Sequence, residues 1–483
     1  MLYQQENSER LSPLEDRRSN PFIRSRQRTN YDRRGSLRVG FNALSFFHDG
    51  NSMISGNLKN ISDSGACIEL LAVEIEKANR ITLGIPLLSS RQIDCEISWS
   101  KRFDGNNGYG HYGIRFLNLG AQEKNVLRKK FLLDDAVFLT YADGIADKVE
   151  DVYTKQEIRS FFLFDLKSAM EKLIDIETMI EQEKEEGNIL AALQEAMDTC
   201  LECGYRLESM LPVNLVKGIK QRVRVLMGQF LYQSNIFRRA FEKPRGYPGD
   251  YEIIEAAYNN RPISEGLGKY FDLYSLELPY TVAIRNRKNK MKELLRRFIN
   301  TSTAKELKIM NLASGGCREI RELFKKPITY KGSVEIMCID QDEAAHEYAR
   351  KKFSGIDTMN VSINLMQGNI LRLEQLAAGK DESFDMIYSI GIADYLQDRM
   401  LDKIFKDCYK KLKTGGTLVV AYKDREKNKP LPFNWYGDWN FIPRNENEFL
   451  ELIKNAMGED SISIRIEREK SGIIFFAEIT KIK

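Results

Sequence analysis

Between residues 31 and 120, apolar and polar residues alternate in short runs broken by Gly, Asn and Ser: LRVGFNALSFF, GNLKNISDSGACIEL, RITLGIPL, QIDCEISWSKRF and HYGIRFLNL. A period of two places every second side chain on one face of a strand. Runs of this kind in succession predict a small antiparallel β-barrel, completed by the helical pattern AQEKNVLRKKFLL. From about 145 to 240 the apolar spacing becomes helical, as in EIRSFFLFDLKSAMEKLIDIETMIEQEKEE and LVKGIKQRVRVLMGQFLYQS. These helices could form a bundle, a lid, or a surface that pairs two copies as a homodimer. Beyond 241 the short apolar runs LKIMNLA, SVEIMCID, SINLMQG, FDMIYSIG and GTLVVAYK are separated by helical text, and SISIRIER and GIIFFAEIT close the chain. Strand alternating with helix predicts a doubly wound, Rossmann-like α/β sheet.

The expected organisation is therefore multidomain: a polar, disordered basic arm (1–30), a β-barrel (31–133), a helical linker or lid (145–240), and an α/β domain with a helical N-terminal cap (241–483). A chain of 483 residues is too long for one ordinary core, which agrees with this division. The formal net charge of +4 is small for that size, so the molecule is not a polyanion binder through its bulk field, and any basic function must be local. The first twenty residues carry no apolar stretch of the secretory kind, and no apolar run approaches the roughly 20 residues of a membrane helix, so a cytoplasmic location is expected. Seven cysteines do not read as a disulfide framework. Cys200 and Cys203 form one CxxC inside a helical pattern, and the three histidines, His48, His111 and His346, are scattered, so no metal site is expected.

Six arginines lie between residues 24 and 38, and Arg34 and Arg38 read R-x-x-x-R. About twenty residues later comes NISDSG, in which Asn60, Ser62 and Gly65 read N-x-S-x-x-G. Taken alone, the arginines could be a solvated basic arm. The two motifs together, in a barrel pattern, resemble the PilZ domain, a receptor for cyclic di-GMP. The resemblance implies that Arg33, Arg34, Arg38, Asn60, Ser62 and Gly65 bind this dinucleotide. The chemistry suits them, because arginine pairs bidentately with phosphate or with a guanine edge and stacks on a base. Asn60 and Ser62 would supply short directional contacts, and Gly65 a close backbone approach.

In the α/β part, LKIMNLASGGCREIRELF reads strand, small-residue turn, helix, an arrangement that lets a ligand approach backbone N–H groups. Asp340 ends the second strand, and Asn369 follows the third in MQGNI. The succession resembles class I S-adenosylmethionine-dependent methyltransferases. That resemblance implies a cofactor site of Asn311, Ala313, Gly315 and Gly316 in the first loop, Asp340 and Gln341 at the ribose, Gly368 and Asn369 at the adenine, and Ser389 beneath the methyl donor. Asn311 stands where such enzymes carry an acid, Ala313 replaces a glycine, and Cys317 replaces the last one. The fold is shared with dinucleotide oxidoreductases, which remain an alternative at this stage.

Ahead of this core, KPRGYPGD and its surroundings resemble a bacterial methyltransferase group that makes 3-hydroxypalmitic acid methyl ester, an extracellular signal. By position Arg245, Tyr247, Asp250 and Tyr251 could line a pocket, and Arg285 could meet a carboxylate; turn chemistry explains the glycines and prolines equally well. Trp435 and Tyr436, with Trp439 and Phe441, could wrap an acyl or aromatic substrate or pack internally. A carboxylate acceptor needs no general base. A hydroxyl acceptor would need one, and Asp394 beside Tyr395 is the nearest candidate. A nucleic-acid methyltransferase is disfavoured, because SIGIADYL stands where a D/N-P-P-Y/F motif would be. The expectation is a cyclic di-GMP-binding, S-adenosylmethionine-dependent methyltransferase acting on a small molecule or fatty-acid-type carboxylate. The alternative is a cyclic di-GMP effector whose methyltransferase-like domain is silent and serves as a protein-interaction platform.

Overall fold

The computed structural model describes residues 39–48, 53–61, 64–71, 80–84, 92–102, 109–325, 328–354, 360–428 and 432–483. The chain divides into two compact units: residues up to Asn235 with Ser264–Phe271, and Ile236–Ile263 with Asp272–Lys483.

In the first unit, strands β1 (Val39–His48), β2 (Met53–Ile61), β3 (Gly65–Leu71), β4 (Arg80–Gly84), β5 (Gln92–Arg102) and β6 (Tyr109–Phe116) form a closed antiparallel barrel. Their order is β1-β2-β3-β6-β5-β4, with β1 pairing back onto β4. Among the described residues each of the six strands therefore has a neighbour on both sides. The period of two has the expected effect, since Ala66, Ile68 and Leu70 of β3, Ile81 and Leu83 of β4, Ile93 and Cys95 of β5, and Tyr112 and Ile114 of β6 all point inward. The helix Ala121–Leu132 adds Leu127 to this core.

That helix is tied to the helices that follow. Asn125 Nδ2 donates to Thr178 Oγ1 at 2.6 Å, Arg128 pairs with Glu177, and Lys129 lies 2.6 Å from Asp175. Helices Lys167–Glu181, Glu186–Met210 and Val213–Leu231 bury apolar stripes that include Leu173, Leu193, Met197, Val223 and Phe230. A π-helical turn at Phe161–Leu166 adjoins an opening of about 560 Å³, lined by Leu163, Phe164, Lys167 and Cys200 among others.

The second unit is built on a seven-stranded sheet: β7 (Glu306–Leu312), β8 (Ser333–Asp340), β9 (Val361–Gln367), β10 (Phe384–Ser389), β11 (Leu412–Lys423), β12 (Ile462–Arg468) and β13 (Ile474–Lys481). The order is β12-β13-β11-β10-β7-β8-β9; β13 runs antiparallel to β11 and β12, and the other neighbours are parallel. The central strands read as nearly continuous apolar runs because helices cover both faces. Chain order reverses between β7 and β10, and the crevice beyond their carboxyl ends is where such sheets take ligands.

The helix Pro279–Thr301 starts with proline at its first position and is anchored through Glu322. Glu322 accepts from Lys288 at 2.6 Å, Lys292 at 2.7 Å and Arg318 at 2.8 Å. Partial burial raises the Glu322 pKa, but the three cations outweigh it and bring the carboxyl from 4.5 down to about 2. A depressed carboxylate stabilises the fold above its unfolded pKa and loses that contribution as pH falls through the folded value. In urea titrations, wild type should therefore exceed Glu322→Gln in stability near neutral pH, with the gap narrowing as pH drops from 4.5 towards 2; a gap independent of pH would count against this ion cluster.

Candidate functional site

The loop leaving β7 turns through three residues of positive φ: Ala313 (+54°), Gly315 (+50°) and Cys317 (+52°). For Ala313 and Cys317 this left-handed backbone costs about 1–2 kcal/mol each, so surrounding bonds must hold it. Ser314 N donates to Ile339 O at 3.1 Å, Cys317 N to Ser314 O at 3.0 Å, and Gly315 N to Asp340 Oδ2 at 2.7 Å. Ser314 Oγ lies 3.2 Å from His346 Nε2, whose ring is fully buried. The space where a Gly315 side chain would project is empty, whereas Gly316 faces Glu255 and the Tyr348 ring.

Asp340 is buried at the end of β8, and its Oδ1 accepts from Asp342 N at 2.9 Å. Burial raises its pKa, opposed by the two N–H donors and by His346. Each carboxylate oxygen keeps a further lone pair for a hydroxyl donor. Gln341 is exposed next to it, and Gly368 N donates to Asp340 O at 2.8 Å, drawing the end of β9 to that of β8. Asn369 is exposed, and its Oδ1 caps the following turn through Leu371 N at 2.9 Å. Ser389 Oγ donates to Leu312 O at 2.9 Å and so bridges β10 to β7 across the strand-order reversal. Asn311 is turned inward, where its Nδ2 donates to Glu319 Oε1 at 3.0 Å, the oxygen that also accepts from Tyr388 at 2.8 Å. The structure thus gathers Gly315, Asp340, Gly368 and Ser389 at one end of the sheet and places the Asn311 side chain in a buried network.

The segment 243–251 flanks Asp340. Burial raises the Tyr247 pKa, and the charges of Asp340 and Asp342 act in the same direction. Arg245 Nε lies 3.7 Å from Asp342 Oδ2, and its guanidinium covers the Tyr251 ring at 5.7 Å. Asp250 caps the helix Tyr251–Asn259 and pairs with Arg239 at 2.7 Å. Arg285 donates to the carbonyls of Leu276 (2.9 Å) and Ala257 (3.5 Å), so its guanidinium braces backbone. Trp435 and Tyr436 are fully buried, with Tyr436 edge-on to Phe237.

Asp394 lies in the turn after β10 and is buried. Its Oδ1 accepts from Lys423 N at 3.0 Å and its Oδ2 from the Tyr280 hydroxyl at 3.4 Å. Burial raises its pKa, while Lys423 and Arg287 pull the other way. Tyr395 Oη accepts from Trp439 Nε1 at 2.7 Å, and Phe441 packs against Tyr280, Tyr395 and Trp439 with ring centroids 5.1–5.9 Å apart. Sequence reasoning missed Arg287, Lys423 and Tyr280. The signal for Arg287 was present, because Tyr280, Ile284, Arg287, Met291 and Leu295 make one buried stripe at helical spacing with a cation in the middle. Of the residues expected in the barrel site, Asn60 pairs across to Gly40 and Cys67, and Gly65 lies where a side chain would strike Ile114 O at 2.1 Å, so the close approach there is to β6. Arg33, Arg34, Arg38 and Ser62 lie outside the described residues.

A family model for the PilZ domain matches residues 27–132, and a second, for a methyltransferase domain, matches residues 309–416. No curated protein matches the chain. Similar solved structures include a possible exported protein from Bordetella parapertussis, with TM-score 0.43 and 16% identity over 54% of this chain and 88% of that one. An S-adenosylmethionine-dependent methyltransferase from Methanosarcina mazei has TM-score 0.30 and 16% identity over 39% and 96%. The magnesium protoporphyrin IX methyltransferase of Synechocystis PCC 6803, solved with bound S-adenosylmethionine, has TM-score 0.32 and 10% identity over 42% and 84%.

Gly249 tests the packing beside the site. Its φ is +71°, and a Cβ there would lie 2.2 Å from the Trp439 ring. Gly249→Ala should lower unfolding free energy by about 1–3 kcal/mol, read by thermal denaturation; an unchanged midpoint would mean that the loop and Trp439 are not in contact.

Proposed function

We propose that this chain, in which a PilZ domain precedes an S-adenosylmethionine-dependent methyltransferase domain, methylates a small molecule or fatty-acid-type carboxylate under the control of cyclic di-GMP. The observation that carries the cofactor reading is the Gly315 N–H bond from the loop after β7 to Asp340 at the end of β8, with open space above Gly315. The residues present fit the cofactor. Asp340 retains lone pairs for ribose hydroxyls, Asn369 offers an exposed amide to an adenine edge, and Gly315 leaves the backbone open to the methionine portion. Gln341 and Gly368 would border the nucleoside, and Ser389 would fix the floor beneath the sulfonium.

S-adenosylmethionine, when bound, supplies an electrophilic methyl group. The work left to the protein is alignment of the acceptor and exclusion of water, because positive charge fades as the methyl moves. The rings of Tyr280, Tyr395, Trp439 and Phe441 supply a dry wall beside Asp394. Toward a carboxylate acceptor, Asp394 has no proton to remove. Toward a hydroxyl acceptor, its burial-raised pKa would make it a stronger base than a solvated carboxylate, with Tyr280 and Lys423 N–H holding its position. Tyr247, Tyr251 and Arg245 would close the site on the Asp340 side.

On the barrel, Arg33, Arg34 and Arg38 would clamp the dinucleotide through phosphate and guanine contacts, with Asn60, Ser62 and Gly65 completing the site. Control of methyl transfer requires that the dinucleotide bind two states of the protein with different affinity.

Calorimetric titration tests both ligands. Wild type should bind S-adenosylmethionine, with an affinity that changes at saturating cyclic di-GMP; Asp340→Asn should weaken cofactor binding about 10-fold or more through loss of charge-assisted hydrogen bonds. Arg34→Ala/Arg38→Ala should lose dinucleotide binding and keep the cofactor. Absence of cofactor binding in wild type would instead favour an effector with a silent domain.

A further inference from the structure

The polar cluster at the carboxyl ends of β10 and β11 does not balance its own charge. Arg287 is 5% exposed, yet its Nε has no hydrogen-bond partner. The Tyr258 hydroxyl partners the guanidinium, and the end of the group lies 3.5 Å from where a side chain at Gly391 would begin, in the turn directly after β10. Lys423 ends β11 with its ammonium over two rings, 4.4 Å from the Phe441 centroid and 5.3 Å from that of Tyr280. Among the described residues neither cation has an ion-pair partner within 4.0 Å.

The carboxylate that these cations share at longer range is Asp394. If it is ionised, the cluster holds one positive charge in excess; if it is protonated, two. Tyr258 and Tyr280 cannot supply the missing negative charge, because burial raises both phenols. Burial disfavours the Lys423 ammonium, whereas at Arg287 burial is outweighed by the neighbouring Tyr258, Tyr280 and Asp394, which favour the charged form. Leaving a buried cation unmatched costs free energy, and an orphaned guanidinium N–H adds to that cost. Most buried cations avoid this by pairing internally, as Lys288 does with Glu322 at 2.6 Å on the same helix.

We propose that Arg287 and Lys423 form a binding site for an anionic group of the methyl acceptor, a carboxylate or a phosphate monoester, with the Tyr280, Tyr395, Trp439 and Phe441 rings taking the apolar remainder of the molecule. Arg287 provides the forked donor that fits a planar or tetrahedral anion, and Lys423 provides a compact charge. The proposal deepens the methyltransferase reading and rests on it for the word acceptor; the anion site itself does not.

The test titrates the full chain with hexanoate, hexyl phosphate and hexanol, and separately with S-adenosylmethionine. Wild type should bind at least one of the two anions about 10-fold or more tighter than hexanol, and which anion wins distinguishes carboxylate from phosphate recognition. Lys423→Gln should lose that preference and Lys423→Arg should restore it, while both keep cofactor affinity; a merely structural role for Lys423 would not separate anion from alcohol. Arg287→Lys should keep part of the preference, and Arg287→Met should abolish it. Should Arg287→Met fail to fold, the Lys423 pair decides. Equal binding of anion and alcohol by wild type overturns the anion site even if the cofactor binds. Anion preference without cofactor binding leaves the site standing and overturns the methyltransferase reading.

Discussion

The crevice depends on one hydrogen bond, from the Gly315 N–H to the buried carboxylate of Asp340. The loop above β7 passes through three left-handed residues, two of which are not glycine, and would relax without an acceptor fixed in place. Asp340 is such an acceptor because it is itself held by Asp342 N–H. The same end of the sheet is closed laterally by Gly368 N–H on Asp340 O and by Ser389 Oγ on Leu312 O. The carboxyl ends of β9, β8, β7 and β10 are therefore stitched in sequence by hydrogen bonds within the chain itself. Preorganisation of this kind is what a reaction dominated by alignment requires.

How far this could be read from the chain differs by element. The strands were legible, because period-two alternation in the barrel and continuous apolar runs in the sheet each follow from how many faces a strand buries. The places of Asp340 and Gly315 were legible too, one at the end of an apolar run and the other in the small-residue turn after another. Side-chain direction was less accessible. Arg285 and Arg287 lie two residues apart in a basic stretch, yet one braces carbonyls and the other is buried beside Asp394, a distinction that only helical phase reveals. Trp435 and Tyr436 could be read either as pocket aromatics or as internal packing, and the sequence alone does not show that a short helix buries both. Gly65 has a steric partner 49 residues later in the chain, and no local pattern specifies that β3 will pair with β6.

In the first unit, the barrel and the helices share a mechanical connection. Glu177 accepts from Arg128 of the helix that closes the barrel and from Gln233 at 2.9 Å, just past the helix Val213–Leu231, and Arg128 also covers the Phe230 ring at 5.3 Å. One carboxylate thus ties three helices. A shift of the barrel's closing helix would have to break or carry these contacts, so a change there is passed on as a rigid displacement more readily than it is absorbed.

The cation cluster at the end of β10 runs against the economy of the rest of the second unit. Elsewhere buried cations meet an opposite charge at close range: Arg321 meets Glu255, Lys411 meets Asp381, Arg444 meets Asp398 and Lys481 meets Glu382. At position 287 a methionine or leucine would extend the apolar stripe of its helix and spare the desolvation of a guanidinium, but it would take a hydrogen-bond partner from Tyr258 and leave Asp394 with one cation fewer. Support of Asp394 alone does not account for the arginine, because that carboxyl is already positioned by Tyr280 and the Lys423 N–H. What two cations around one carboxylate add is a field that favours an incoming negative group, set beside aromatic rings at the end of the sheet where folds of this class take ligands.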